Sequence, residues 1–146
     1  MHNLHSNERV MQYTSTQGTI QSLEESKEEL DRIILSYDAA GTTFRVWGIE
    51  RKSDGDFVGT CALIGEDNDL GYRIREKHWG RGYASEVALG LIRYAFDVLG
   101  LENLVAVADA RNLASVRILE KNMHFVKTYY NQAMDCTDRL YQLPKE

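Results

Sequence analysis

The feature that most constrains the fold is a change of periodicity around the stretch "KHWGRGYASEV", residues 77–87. Before it, three short runs alternate apolar with polar residues, which is typical of β-strands. After it, apolar residues recur every three or four positions from Ala84 to Leu99, which is typical of a helix packed on one face. The chain must therefore pass from extended segments into a long helix through a turn that contains two glycines.

The three runs before this turn predict an antiparallel meander of strands. Residues 42–52 and 57–65 flank the turn signal "SDGD", and this arrangement is typical of a β-hairpin. A third extended run, residues 70–76, follows the polar break "EDND". We expect these three strands to be neighbours in one sheet.

Helices are predicted on either side of this meander and again after the long helix. Ser22 and Glu25 form an S-x-x-E capping box at the start of an amphipathic segment, residues 22–37. Asn112 can cap a later helix over residues 113–121. Gly100 ends the long helix in the manner of a C-terminal cap.

The second half of the chain completes a mixed sheet. The short apolar run "NLVAVAD", residues 103–109, predicts a central strand that is covered on both faces. The tail, residues 124–143, predicts two strands around a turn near Asp135 to Asp138. The predicted fold class is therefore α/β (α+β), with a sheet that is antiparallel first and parallel across the long helix.

Length and charge limit the function classes. The 146 residues are enough for one domain, residues 1–146, and the net charge of −5 argues against nucleic acid as a partner. No apolar run approaches the roughly 20 residues that cross a membrane. Cys61 and Cys136 lie far apart and match no metal-ligand spacing, so the sequence indicates a reducing cytoplasm and no metal site.

The glycine pair predicts an anion site at the start of the long helix. Gly80 and Gly82 remove the Cβ atoms that would keep an anion from the free N–H groups of the first helical turn, and Arg81 adds positive charge. A tight turn packed against Trp79 would use the same glycines, so spacing alone leaves both interpretations open. The P-loop pattern is absent, and the dinucleotide pattern G-x-G-x-x-G fails at Ser85.

Several motifs in the right order resemble the GNAT superfamily of acyl-CoA-dependent N-acetyltransferases. Residues 77–82, "KHWGRG", match its acetyl-CoA signature [QR]-x-x-G-x-[GA] except at Lys77. "HWGRGYASEV", "DARNLASVRILEKN", "FVGTCALI" and "DLGYRI" resemble motifs of the RimJ/RimL-like branch. The resemblance extends from Gly59 to Phe125. It implies the acyl-CoA N-acyltransferase fold, with splayed parallel strands in a mixed central sheet and without the usual N-terminal strand.

The resemblance also implies a reaction and a set of binding residues. The acetyl group of acetyl-CoA, a co-substrate, would pass directly to a primary amine in a ternary complex, the acceptor being a protein N-terminus, such as that of a ribosomal protein, or a small amine. The diphosphate would bind the glycine turn, and the pantetheine arm would pair with the main chain of the preceding strand. The cofactor-binding residues implied are Tyr72, Arg73, Ile74, Arg75, Lys77, Gly80, Arg81, Gly82, Tyr83, Ala84, Asn112 and Ser115.

Two residues are predicted to move protons. Ser115 fills the serine position of N-x-x-S and would be the acid, because Leu119 stands where many family members carry a tyrosine. Asp69, the acidic residue before L-G-Y, would be the base, directly or through water. Plain helix capping by Asn112 with Ser115, and a solvated turn carboxylate at Asp69, remain the structural alternatives.

The chain departs from the family pattern in two further places. The glycine usual after E-K-x is absent, and Asn122 can adopt the left-handed conformation that glycine would supply at that helix end, so we expect the following strand to start one residue early. Little sequence precedes Asn7, so the first strand of the fold would be missing or supplied by a second copy in a homodimer. A non-catalytic acyl-CoA-binding or sensing module, and a nucleotide-binding domain, are the alternative functions.

Overall fold

From residue 22 onwards, the elements follow the predicted order of helix, three strands, helix, strand, helix and two strands. The structure, a computed structural model, describes residues 1–14, 22–37 and 39–146. The helices in these residues are α1 (His2–His5), α2 (Glu8–Met11), α3 (Leu23–Tyr37), α4 (Tyr83–Asp97) and α5 (Leu113–Asn122). The strands are β1 (Phe44–Glu50), β2 (Phe57–Ile64), β3 (Asp69–Ile74), β4 (Asn103–Asp109), β5 (His124–Asn131) and β6 (Cys136–Pro144).

The six strands form one mixed sheet in the order β1-β2-β3-β4-β6-β5. The first three strands are the predicted antiparallel meander. β3 and β4 are parallel, with α4 in the connection between them, and β4, β6 and β5 are again antiparallel. The predicted α/β class is confirmed.

The central pair of strands diverges soon after it begins. β3 pairs with β2 along its whole length from Asp69 to Ile74, whereas its parallel pairing with β4 is confined to Asp69 opposite Val105. The main chain of β3 from Gly71 onwards therefore has an open edge on the β4 side. This divergence is the splay that the family resemblance implies.

The core lies between the sheet and the helices α4 and α5. Because side chains alternate across a strand, Leu70 and Tyr72 face this core, whereas Asp69 and Arg73 face the other side of the sheet. On that other side, the Arg73 guanidinium lies 3.3 Å from the imidazole of His5 in α1. The buried core residues are Leu63, Leu70, Leu91, Ile92, Ala95, Leu104, Ala106, Ala108, Val116, Leu119, Met123 and Tyr141.

The capping box at the start of α3 is present. The Ser22 N–H donates to the Glu25 carboxylate over 2.7 Å, and the Glu25 N–H donates to the Ser22 hydroxyl over 3.1 Å. These two bonds satisfy donors that the first helical turn leaves unpaired.

Two short helices, α1 and α2, precede α3 and were not predicted. Among the described residues before β1, which are 1–14, 22–37 and 39–43, there is no strand. Leu4 and Met11, at 0% and 1% exposure, anchor the two short helices in the interior. No helix in the described residues is long and apolar enough to cross a membrane.

The prediction of a left-handed Asn122 is wrong. The described non-glycine residues with positive φ are Asn68 and Asp135. Asn122 is instead the last residue of α5, where its side-chain amide donates to the Ile118 carbonyl over 2.7 Å. The chain leaves the helix at Met123, which is extended, so no left-handed residue is needed.

The predicted turn in the C-terminal hairpin lies about three residues too far along. The turn occupies residues 132–135 and ends at Asp135, whose φ is +47°. Asp138 belongs to β6, and its side chain is buried. The side-chain amide of Asn131 donates a hydrogen bond to the Asp138 carboxylate over 2.8 Å across the hairpin. The prediction extended the turn to Asp138, but the side chain of this residue is held inside by a partner on the neighbouring strand.

Candidate active site

A cavity of about 1080 Å³ lies where β3 and β4 diverge. It is bounded by the glycine turn on one side and by the first turn of α5 on the other. Of the residues predicted for the site, those that line it are Asp69, Tyr72, Arg73, Ile74, Gly80, Gly82, Tyr83, Ala84, Asn112 and Ser115. Arg75, Lys77 and Arg81 do not line it.

Both glycines of the turn adopt a backbone conformation that other residues avoid. The φ angles are +70° at Gly80 and +81° at Gly82, in the left-handed region. A Cβ built on either glycine would meet no protein atom within 4 Å. The positive φ angles are those of a tight turn, and the space beside the glycines is also open to a ligand.

The turn leads directly into the free end of α4. Gly82 is the N-cap of this helix and has no side chain to accept hydrogen bonds from the first turn. Residues 83–85, which form that turn, line the cavity. Their N–H groups and the positive end of the helix dipole form a site suited to an anion.

The basic residues beside the turn hold it in place from outside the cavity. The Lys77 ammonium donates to the Asp56 carboxylate over 2.6 Å, and this contact is the main reason why the pKa of Asp56 is lowered. The Arg75 guanidinium donates to the Phe57 carbonyl over 2.9 Å. Arg81 is exposed. Lys77 and Arg75 therefore tie the turn to the β1–β2 hairpin.

His78 and Trp79 take part in the site in ways that the sequence did not indicate. His78 is 3% exposed, its Nε2 lies 3.1 Å from the Asp56 carboxylate, and its ring lies edge-on to Tyr83. The Trp79 indole N–H donates to the Ile74 carbonyl over 2.8 Å. The Ile74 carbonyl is therefore already paired. A ligand that lies along β3 would hydrogen-bond to main-chain groups of residues before Ile74.

Asp69 begins β3 on the face of the sheet opposite the core. Its side chain is exposed into the cavity, yet nearby protein atoms desolvate the carboxyl and raise its pKa to about 6. The charge of Asp67 raises the pKa further, and the backbone amide of Val107 opposes both effects. A carboxyl with this pKa can accept a proton near neutral pH.

Ser115 lies on the opposite side of the cavity from Asp69, in the first turn of α5. The Asn112 side chain caps this helix by accepting from the Ser115 N–H over 3.3 Å, as the capping interpretation predicted. Ser115 is half-buried and lines the cavity. The cap therefore fixes the Ser115 backbone and leaves its side chain beside the cavity.

One end of the cavity is acidic. Tyr129 lines it, and the pKa of this tyrosine is raised by burial first and then by the charges of Asp138 and Asp69. Asp138 is 5% exposed and accepts from Asn131 and from the Cys136 thiol. Tyr129 therefore lies at the cavity wall and between two carboxylates, rather than among core residues alone.

A segment of the N-terminus, residues 7–13, reaches both loops that flank the cavity. We call it the N-terminal strap. On one side, Arg9 pairs with Glu76 and lies 5.4 Å from the Trp79 ring centroid. On the other side, the Arg111 guanidinium lies 5.5 Å from the Tyr13 ring centroid. No sequence signal links these residues, because the contacts join distant parts of the chain.

Comparison with known proteins agrees with this geometry. The family described as "Acetyltransferase (GNAT) domain" matches residues 1–123. YoaA of Bacillus subtilis strain 168, named as an uncharacterized N-acetyltransferase, is 40% identical over 80 residues. That match covers 51% of this chain and 45% of YoaA, so the chain spans about half the length of this relative.

Solved structures share the fold. A GNAT-family acetyltransferase from Bacillus anthracis superimposes with a TM-score of 0.84 at 18% identity, covering 99% of this chain and 86% of that one. The spermidine N-acetyltransferase of Vibrio cholerae, solved with CoA and spermine, gives a TM-score of 0.75 at 20% identity, covering 98% and 86%. With the splayed strands and the glycine turn at the start of α4, these matches lead to one conclusion: the chain belongs to the GNAT acetyltransferase domain family.

Proposed function

We propose that the protein transfers an acetyl group from acetyl-CoA to a primary amine, by direct attack in a ternary complex, and that it belongs to the RimJ/RimL-like branch. The observation that carries the proposal is the cavity between the diverging strands β3 and β4, with the glycine-capped end of α4 at its side. Such a cavity suits a long ligand with an anionic group at one end.

The residues present fit acetyl-CoA. The space beside Gly80 and Gly82 is free of protein atoms, and the first-turn amides of α4 would hold the diphosphate. The open edge of β3 from Gly71 to Arg73 would pair with the pantetheine amides, as an added strand does. When bound, acetyl-CoA supplies an activated acetyl thioester.

Proton transfer is divided between the two sides of the cavity. An attacking amine must be neutral, so Asp69 would remove its proton, and a pKa near 6 leaves this carboxylate ionised at neutral pH. Ser115 would stand beside the departing sulfur. The base faces one side of the sheet and the acid lies on the other, which is the arrangement that direct transfer through the splay requires.

The acidic end of the cavity favours an acceptor that carries further positive charge. Asp69 and the buried Asp138 both act on Tyr129, so their charges reach the same part of the cavity wall. A cationic small amine or a basic protein N-terminus would be attracted there. We propose a cationic amine as the acceptor class.

The alternative function is a module that binds acyl-CoA without turnover. Both functions predict CoA binding, so only catalysis separates them. The test incubates the protein with acetyl-CoA and a panel of polyamines, amino acids, aminoglycosides and basic peptides, and measures free thiol. Amine-dependent thiol release supports the proposal. Tight CoA binding without release for any amine supports the binding module, and stabilisation by ATP or NAD but not CoA would indicate a nucleotide-binding domain.

Ser115→Ala provides the matching variant. We expect kcat to fall about 10²-fold, within the range for loss of a general acid, with unchanged CoA affinity. Unchanged kcat would remove Ser115 from the mechanism.

We further propose that the protein works in the cytoplasm and that a second copy can pair along the edge strand β5, where Val126 and Tyr130 are exposed.

A further inference from the structure

The hydroxyl of Tyr72 is a buried polar group that the proposed mechanism does not use. The ring lies on the core face of β3 and lines the cavity, and the hydroxyl oxygen is shielded from solvent. Among the described residues, this oxygen has no hydrogen-bond partner. Buried polar groups are rarely left unpaired, and those that are often have a role at a binding or catalytic site.

Ser115 lines the same cavity as Tyr72. Burial raises the pKa of Tyr72, and the Ser115 side chain acts in the opposite direction and lowers it. The structure shows no hydrogen bond between the two hydroxyls, so the side chains have to come into hydrogen-bond geometry before a proton can pass between them. Because Asn112 fixes the first turn of α5 and β2 fixes β3, the pair is held on rigid elements.

The chemistry of the proposed reaction gives this pair a purpose. A departing thiolate has to be protonated, and proton transfer is efficient when the pKa values of donor and acceptor are close. A serine hydroxyl is a far weaker acid than a thiol, whose pKa is about 8.5. A phenol, with an ordinary pKa of about 10, is much nearer to the thiol than serine is, although burial raises the pKa of Tyr72. Ser115 alone would have to become an alkoxide, so it needs a second group behind it.

We propose that Tyr72 is the proton source behind Ser115. The Ser115 hydroxyl gives its proton to the departing sulfur while its oxygen takes the proton of the Tyr72 hydroxyl, so that one S–H bond forms and the negative charge moves to the Tyr72 phenolate. Solvent then returns a proton to that phenolate. Tyr72 acts through Ser115, and this inference rests on the proposed function.

The first test is Tyr72→Phe. Replacing an unpaired buried hydroxyl by hydrogen leaves no partner unsatisfied, so the variant is expected to fold with an unchanged melting temperature. We expect kcat to fall about 10²-fold, with CoA affinity and the KM for acetyl-CoA unchanged. Tyr94→Phe is the control, since Tyr94 packs edge-on against Trp47 away from the cavity. Equal kcat in wild type and Tyr72→Phe would overturn the proposal while leaving the acetyltransferase function intact.

The second test is the pH profile of kcat. Replacement of tyrosine by 3-fluorotyrosine makes every phenol more acidic, so the alkaline limb of the profile is expected to move to lower pH. The same replacement in Tyr72→Phe is expected to leave its limb in place, because the titrating phenol is gone. A limb that moves equally in both proteins would overturn the proposal.

The third test does not depend on turnover. In protein labelled with ¹³Cζ-tyrosine, the resonance that is missing from Tyr72→Phe reports the titration of Tyr72. Ser115→Ala is expected to raise the pKa of this phenol, because it removes the neighbour that lowers it. An unchanged titration means that the hydroxyls are not coupled and overturns the proposal.

A wild-type protein that releases no thiol with any amine would contradict the proposed function, and with it the proton transfer from Tyr72 through Ser115.

Discussion

At the scale of single residues, the local conformation of Gly82 underlies the proposed binding site. Its φ of +81° turns the chain from the loop into α4 and places the first-turn amides at the cavity. No protein atom lies where a Cβ would stand, so the cost of any larger residue to the free protein comes from backbone strain alone. A bound anion would meet that Cβ directly.

Gly82→Ala is therefore expected to have two separate effects. The left-handed conformation lowers the free energy of unfolding by about 1–2 kcal/mol. The added methyl also displaces the diphosphate from an amide, and since a hydrogen bond to a charged group contributes about 1.5–3 kcal/mol, CoA affinity should fall about 10- to 100-fold. Urea unfolding and calorimetric titration with CoA measure the two effects.

Gly100→Ala is the matched control for this substitution. Its φ is +66°, and an added Cβ there also meets no protein atom, but it lies beyond the far end of α4. The same loss of stability with full CoA affinity is expected. If both variants lose affinity equally, the glycine turn is not the diphosphate site.

At the scale of elements, α2 is too short to be stable by itself, since isolated helices below about 12 residues are marginal in water. Its cap supports it: Asn7 accepts from the N–H groups of Arg9 and Val10 over 3.0 and 3.2 Å. The Asn7 amide also donates to Glu76 over 2.9 Å. One residue therefore both begins the helix and attaches the N-terminal strap to the glycine-turn side of the cavity.

Asn7→Ala should loosen the strap without unfolding the protein. Loss of the cap lowers stability by about 1 kcal/mol, and amide hydrogen exchange in residues 9–11 should become faster. Asn3→Ala, an exposed position in α1, is the control and should leave these rates unchanged. Exchange rates in residues 9–11 that are the same in both variants would show that Asn7 does not hold the strap.

At the scale of the whole molecule, carboxylates act on stability in opposite directions. Asp56 and Asp109 have lowered pKa values, mainly because of Lys77 and Arg111, so their contribution is present above about pH 4 and is lost as the pH falls. Asp69 has a pKa of about 6 in the folded protein against an ordinary value of 3.8. Between these values, the folded state binds more protons than the unfolded state, so Asp69 reduces stability as the pH rises.

Asp69→Asn is therefore expected to stabilise the protein at pH 7 relative to wild type, with a smaller gain at pH 4. Because it also removes the proposed base, we expect kcat to fall about 10²-fold or more. Urea unfolding at the two pH values measures the first effect. Asp67→Asn, which removes the same charge from an exposed neighbour, should keep kcat and move the acid limb of the pH profile slightly lower. A stability difference between wild type and Asp69→Asn that does not change with pH would contradict the raised pKa.

The sequence predicted most of what depends on neighbours along the chain. The capping box of α3, the glycine turn before α4 and the strand over residues 103–109 follow from periodicity and from bonds within a few residues. The errors came at Asn122 and Asp138, where side-chain hydrogen bonds that the sequence did not indicate are formed. Asp138 was assigned to the end of a turn, yet it lies in β6, where Asn131 holds its side chain inside the hairpin.

The sequence by itself determined the fold class, the family motifs and the place of the glycine turn before α4, because each depends on local backbone preferences and on the pattern of burial. Only the tertiary structure decided which side chains share the cavity. Three features depend on segments far apart in the chain: the cavity that Tyr72 and Ser115 share, the strap between Glu76 and Arg111, and the desolvation of Asp69. Proximity of that kind, and the dielectric environment it creates, exists only after the sheet and helices have packed.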